Sequence, residues 1–247
     1  MGQKIDGSLI RALTCDVFGT VVDWHAGIIE EGLRLEKTMK LDVDWDSFAL
    51  AWRFCYQSNL NRIQDGELPW MDLDELNRMV LDELLLEFKI TGLDESGKEH
   101  LNNVWHRLKP WPDSVDGITR LRKKFSVLTL SNGDVALMTD VAQYGKLPWS
   151  HILSAASVKH YKPSKEVYQM AVDFLKLRPE QILMVAAHEY DLRAARAVGF
   201  KTAFVRRPLE YGVKSSPVVK ATFRFIKNSS FNFVVNGFND LADQLGC

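Results

Sequence analysis

The chain has 247 residues, enough for one large domain or for a core with a smaller insertion. Its 31 Lys and Arg nearly balance its 32 Asp and Glu, so no global field favours nucleic acid or a membrane surface. A hydrophobic fraction of 46% is ordinary for a globular protein, and no apolar run reaches membrane-spanning length. The three cysteines, Cys15, Cys55 and Cys247, match neither a disulfide framework nor a zinc pattern, so reduced thiols and a cytoplasmic location are expected. The N-terminal MGQKIDGSLIRALTC lacks the apolar stretch of a signal peptide, and Gly2 is not followed by the Ser or Thr of a myristoylation signal.

The first expected strand is LIRALTCDV (9–17). From about Trp24 to Leu108 the pattern is helical throughout: AGIIEEGLRLEKTMK, DSFALAWRFCYQSNLNRI, MDLDELNRMVLDELLLEFKI and GKEHLNNVWHRL. The acidic MDLDELNRMVLDELLLEF carries leucines at helical spacing and reads as a solvated helix packed on its apolar side. DGELPW and KPWPDS are expected turns or hinges. Beyond them, strands FSVLTLS (125–131), ILMVAA (182–187), KTAFV (201–205) and FNFVV (231–235) alternate with helical segments, and HILSAAS (151–157) is a further strand candidate. Those helices are VDGITRLRKKF, DVALMTDVAQYG, PSKEVYQMAVDFLKL and EYDLRAARAVGF.

Alternation of this kind predicts an α/β fold, a Rossmann-like parallel sheet with helices on both faces and an inserted all-helical cap. The expected division is a core of 1–23 and 109–247 and a helical insertion at 24–108.

Polar loops fall where strands end: Asp16-Val17-Phe18-Gly19-Thr20, Ser131-Asn132-Gly133, and His188-Glu189-Tyr190-Asp191, with Tyr161-Lys162-Pro163 at the start of a helix. A carboxylate at the end of a strand, such as Asp16, can cap a helix or attack carbon or phosphorus to form an ester. Buried and ionised, it needs positive charge and hydrogen-bond donors, which Lys162 and Thr20 can supply. Ser131 and Asn132 can donate to a substrate carboxylate or cap the following helix. His188 is either a structural histidine or a base near neutral pH, with Asp191, Asp23, Glu30 or Glu31 as candidates to orient its ring. The remaining histidines, His25, His100, His106, His151 and His160, show no ligand spacing. Trp24, Trp52, Trp70, Trp105, Trp111 and Trp149 are candidate pocket walls.

In the order and type of these motifs, over nearly its whole length, the chain resembles the haloacid dehalogenase superfamily. Within it the chain is similar to the type II L-2-haloacid dehalogenases. ALAWRFCYQ matches the family's Trp-Arg pair on an early helix of the insertion, and YKPSKEVYQMA matches its lysine with a tyrosine six residues on. The resemblance implies Asp16 as nucleophile and Lys162 as its counter-ion. It also implies Arg53 reaching the departing halide and Tyr168 behind the lysine. The substrate would be a 2-haloacid, with neither cofactor nor metal, and a homodimer is common in the family.

Phe18 discriminates within the superfamily, whose phosphatases carry a second aspartate there and use Mg²⁺. A halide leaves without a proton, whereas alkoxide departure without that acid loses about 10²–10⁴-fold. The fourth motif departs from the family: Ala187-His188 stands where its best-known members have Ser-Asn, and Asp191 keeps the acidic position. The alternatives are a Mg²⁺-dependent phosphatase, a non-catalytic ligand-binding relative and a protein-interaction role for the helical insertion.

Overall fold

The computed structural model describes residues 9–215 and 231–247, and its largest sheet has five parallel strands. The N-terminal stretch read for a targeting signal lies mostly outside the described residues. Strand β1 (Ala12–Cys15) leads into a two-stranded antiparallel ribbon, β2 (Val22–Asp23) against β3 (Lys109–Pro110). Strands β4 (Ser126–Thr129), β5 (Ile182–Ala186), β6 (Lys201–Val205) and β7 (Phe233–Val235) complete the main sheet in the order β4-β1-β5-β6-β7.

Every residue of β1 and β5 is buried, which is why both read as continuous apolar runs. Leu13, Cys15, Val127 and Val185 face one layer, where Ile118, Leu137 and Phe238 pack. Ala12, Leu128 and Met184 face the other, with Tyr168 and Leu192. The first layer holds α5 (Ser114–Leu121), α6 (Val135–Gly145) and α9 (Phe238–Gln244), and the second holds α7 (Lys165–Leu175) and α8 (Glu189–Val198). The chain passes from β1 to β4 on one side, then crosses back to β5 on the other. The loops after β1 and β5 therefore flank the switch point where doubly wound sheets bind ligands.

The strand expected at His151–Ser157 does not form. Single bridges join Leu128 to His151 and Ser131 to Ser154, and the chain then enters a short 3₁₀ helix, Ala155–Val158. Side chains replace the ladder there. Thr129 Oγ1 donates to the Leu153 carbonyl and accepts from its N–H, while Ser154 Oγ donates to the Gly133 carbonyl and accepts from Ala156 N–H.

Between β2 and β3 lie α1 (Trp24–Met39), α2 (Trp45–Gln64), α3 (Leu73–Glu87), α4 (Glu95–Asn102) and a 3₁₀ turn, Asn103–Arg107. Each α-helix starts at an aspartate: Asp23, Asp44, Asp72 and Asp94 accept from Ala26, Ser47, Glu75 and Gly97 N–H respectively. Asp72 and Glu75 form a reciprocal capping box. Asp44, Asp72, Glu75 and Asp94 thus serve as helix punctuation within this region. Its apolar residues join the core of the sheet through edge-to-face rings, Phe18 to Trp105 at 5.8 Å and Trp105 to Trp52 at 5.5 Å. No helix among the described residues is long and apolar enough to cross a membrane.

Candidate active site

Asp16 follows β1 directly and is almost wholly buried. Its Oδ1 faces Lys162 Nζ at 3.0 Å, and its Oδ2 accepts from Thr20 Oγ1 at 2.6 Å and meets His188 Nδ1 at 3.1 Å. Burial opposes ionisation, but the charge of Lys162 and the His188 and Thr20 contacts outweigh it and hold the carboxyl well below the usual range. Thr20 Oγ1 also accepts from Ala187 N–H at 2.9 Å, so one hydroxyl fixes the loop after β1 to the loop after β5.

Lys162 Nζ bridges Asp16 to Asp191, 2.6 Å away, and Tyr168 OH donates to the other Asp191 oxygen at 2.6 Å. Burial would discharge the ammonium, yet Asp16 and Asp191 together raise its pKa and keep it charged. Lys162 also carries a backbone anchor: its N–H donates to Asn132 Oδ1 at 2.9 Å, and Asn132 Nδ2 donates to Tyr56 OH on α2 at 3.1 Å. Ser131 is fully buried with its Oγ accepting from Gly133 N–H. Neither Ser131 nor Asn132 caps α6; Asp134 does, accepting from Leu137 N–H. A Cβ on Gly133 would crowd the tip of the Met138 side chain, with Leu137 and Phe18 next nearest.

Arg53 stands on α2 with its guanidinium 5.0 Å from the Tyr56 ring centroid and 5.8 Å from that of Trp24. Its buried Nε has no hydrogen-bond partner among the described residues. With His188, Tyr190, Tyr211, Phe54, Gln57, Asn61 and Pro163 it lines a cavity of about 390 Å³. An unpaired guanidinium among aromatic rings suits a weakly hydrated anion.

His188 begins α8 and lies between two carboxylates, Asp16 at Nδ1 and Glu210 Oε1 at 2.8 Å from Nε2. Burial disfavours its charge, but Glu210 and Asp16 overcome that, and its pKa is pushed up to about 10. At neutral pH the resting imidazole is therefore an imidazolium. None of the four orienting groups expected from the sequence touches it. Asp191 is held by Lys162 and Tyr168, and Asp23 caps α1. Glu30 pairs with Arg34 and Lys109, and Glu31 with His100 and Arg34.

Glu210 was missed because neither motif nor spacing marks it. It follows β6, whose carboxyl end lies on the same sheet edge as the other loops, and that placement was the available signal. Gly19, at φ +82°, makes room for it: a Cβ on Gly19 would lie 2.1 Å from Glu210 Oε1.

A model of the haloacid dehalogenase-like hydrolases matches residues 10–199. The chain belongs to this family. It is 40% identical to an L-2-haloacid dehalogenase of known crystal structure, over 96% of this chain and 99% of that one, with a TM-score of 0.87. A defluorinating L-2-haloacid dehalogenase matches at 34% identity over 96% of each chain, with a TM-score of 0.86. (S)-2-haloacid dehalogenase 1 of Pseudomonas sp. strain CBS-3 is 27% identical over 218 residues, 82% of this chain and 88% of the relative. Against this family, the residues expected from the sequence converge: Asp16, Thr20, Lys162, Asp191, Tyr168, Asn132 and His188 form one hydrogen-bonded network. Arg53 lines the adjoining cavity with His188, and Phe18 packs on Trp105 with no polar atom to offer. Of the candidate pocket walls, Trp24 touches Arg53 and Glu210, whereas Trp70 stacks on Tyr161 at 4.7 Å and Trp111 donates to the Gly19 carbonyl. Among the described residues, no three His, Cys, Asp or Glu side chains form a group able to hold a metal ion.

Proposed function

We propose that this hydrolase cleaves the carbon–halogen bond of short-chain 2-haloalkanoic acids. The observation that carries the reading is an ionised, donor-rich Asp16 with Phe18 where a proton-donating acid would stand. Asp16 Oδ1 attacks C2 from the face opposite the halogen; the O–C2 bond forms, and the C–X electron pair leaves as halide, unprotonated. Configuration at C2 inverts, so an (S)-2-halo acid gives the (R)-2-hydroxy acid. Arg53 receives the halide. The hydroxyl hydrogen of Ser131 and the second amide hydrogen of Asn132 are the donors for the substrate carboxylate.

Alkylation then changes His188. Asp16 becomes a neutral ester, and one of the two negative charges that raise the imidazole's pKa disappears. His188 releases its Nδ1 proton to solvent, keeps Nε2–H on Glu210, and presents the Nδ1 lone pair to water. Water attacks Asp16 Cγ as Nδ1 takes its proton, and the same proton passes to the departing alkoxide of the hydroxy acid. No metal or cofactor takes part in this scheme. The helical segment 24–108 serves as a cap over the carboxyl edge of the sheet, and we assign a homodimer in the cytoplasm as the working state.

The test is direct. Purified protein is given chloroacetate, L-2-chloropropionate and a panel of phosphomonoesters, each with and without Mg²⁺. Halide and 2-hydroxy acid should appear without Mg²⁺. Phosphate release without halide release would replace this reading with a phosphatase.

A further inference from the structure

Two residues beyond β6, Arg207 is 6% exposed and pairs in both prongs with Asp113: Nη1 to Oδ1 at 2.7 Å, Nη2 to Oδ2 at 3.0 Å. Its Nε donates to the Thr20 carbonyl at 2.8 Å, and its guanidinium lies 5.5 Å from the Trp111 ring centroid and 5.7 Å from that of Phe238. The Arg207 carbonyl accepts from Glu210 N–H at 3.1 Å, closing the turn that presents Glu210. Asp113 is fixed in its turn by Phe238 N–H at 2.7 Å, and Trp111 Nε1 holds the Gly19 carbonyl at 2.9 Å. One planar cation thus ties the turn at 207–210 to the Gly19–Thr20 loop on which Glu210 rests. It also ties both to the segment where the chain returns from the helical insertion.

We propose that the Arg207–Asp113 pair is the positioning element of ester hydrolysis, holding Glu210 on His188 Nε2. The inference rests on His188 being the hydrolytic base. Arg207 touches neither Asp16 nor the cavity residues; it holds the Thr20 backbone and, through its own carbonyl, the turn that presents Glu210, and the two half-reactions tell these routes apart. A buried ion pair is weak evidence of a purely stabilising role, because its desolvation cost offsets most of the attraction. What the fork supplies is direction: it satisfies two carboxylate oxygens and a carbonyl in one plane, a geometry an ammonium cannot reproduce. Displacing a catalytic group by about 1 Å costs on the order of 10²-fold.

The experiment compares Arg207→Met, Arg207→Lys and Asp113→Asn with Glu210→Gln and the double variant Arg207→Met/Glu210→Gln. Far-ultraviolet circular dichroism and thermal melting establish folding. First-turnover halide release from chloroacetate and decay of the ester, followed by intact mass, are measured against pH. Arg207→Met should release its first halide within about threefold of the wild-type rate yet decay roughly 10²-fold more slowly. The pH limb of decay should move to lower pH, because Glu210 no longer holds its charge at His188. The double variant should decay no more slowly than Glu210→Gln alone, the mark of two residues acting as one unit.

Additive losses, or equal losses in both half-reactions with an unmoved pH limb, would overturn the proposal. If Arg207→Met fails to fold, Arg207→Lys and Asp113→Asn carry the same test. His188→Ala run in parallel separates the two readings: unchanged ester decay there removes the base itself, and the positioning role with it. Slow decay in His188→Ala with normal decay in the Arg207 variants removes only the positioning role.

Discussion

Two histidines of this protein are built alike, each with one carboxylate on either ring nitrogen, and they sit in different regions. His188 lies between Asp16 and Glu210 at the carboxyl edge of the sheet. His106 lies where the helical insertion rejoins the sheet, with Asp74 of α3 at 3.0 Å from Nε2 and Asp140 of α6 at 2.9 Å from Nδ1. The side chains of His188 and its partners are 8%, 12% and 4% exposed, whereas those of His106, Asp74 and Asp140 are 14%, 32% and 56% exposed. Water screens the second triad and scarcely reaches the first. In both, burial disfavours the charged ring and the carboxylates overcome it, raising the pKa. The deeper difference is what happens to the partners. Asp74 and Asp140 have no part in the proposed chemistry, and His106 serves as a strut between α3 and α6. In the proposed scheme Asp16 loses its charge when it is alkylated, so His188, unlike His106, would have a partner that switches off at the step where a base is required.

The comparison breaks first at His188. His188→Ala should lower steady-state turnover by about 10²–10⁴-fold while the first equivalent of halide is still released. Equal loss of both half-reactions, measured by rapid-quench halide and product assays, would make His188 a plain counter-ion like His106. Glu210→Gln is next, with ester decay slowed by roughly 10²-fold, about 2.7 kcal/mol of barrier. Its pH limb should shift acidward, since removing the anion lowers the imidazole's pKa.

In the unmodified protein, halide release should be flat from pH 6 to 9, because Asp16 stays ionised and the resting His188 titrates only at about 10. Ester decay should instead rise with pH through a lower value, set by an imidazole that has lost its Asp16 neighbour. A single shared profile for both steps would contradict the switch.

The smallest effect is expected at the joint. His106→Gln should leave turnover within about twofold and cost roughly 0.2–1 kcal/mol of stability, as for exposed ion pairs. Its folded pKa is raised, so its contribution is fully present below the unfolded value of about 6.5 and disappears as pH climbs through the folded one. The wild-type-minus-variant difference in urea unfolding should shrink over that rise. A difference that grows instead would reverse the sign assigned to the pair.

Most of the sheet was legible because both faces are covered, so β1 and β5 read as unbroken apolar runs and the loops after them could be placed. His151–Ser157 was misread because Ser154 and Thr129 divert backbone groups to side chains, a choice that apolar patterning does not record. Asp16, Thr20, Lys162 and Asp191 were found as residue types that one chemistry requires and Tyr168 only through the family resemblance, and the five do meet. Asn132 was found for its amide, yet here the amide joins Lys162 to Tyr56. Glu210 and Arg207 escaped notice because their meaning is set by contacts across the sheet edge: Gly19 beneath one, Thr20 and Asp113 around the other. No local period encodes such contacts.

The central claim is that Asp16 forms an ester which water opens at the carboxyl carbon. A single turnover with enzyme in excess over L-2-chloropropionate in oxygen-18 water tests it most directly. Unlabelled lactate is expected, its new oxygen coming from Asp16, with one labelled oxygen in the peptide containing Asp16. Labelled lactate with unlabelled Asp16 would mean that water attacks C2 directly, and the ester mechanism would be wrong.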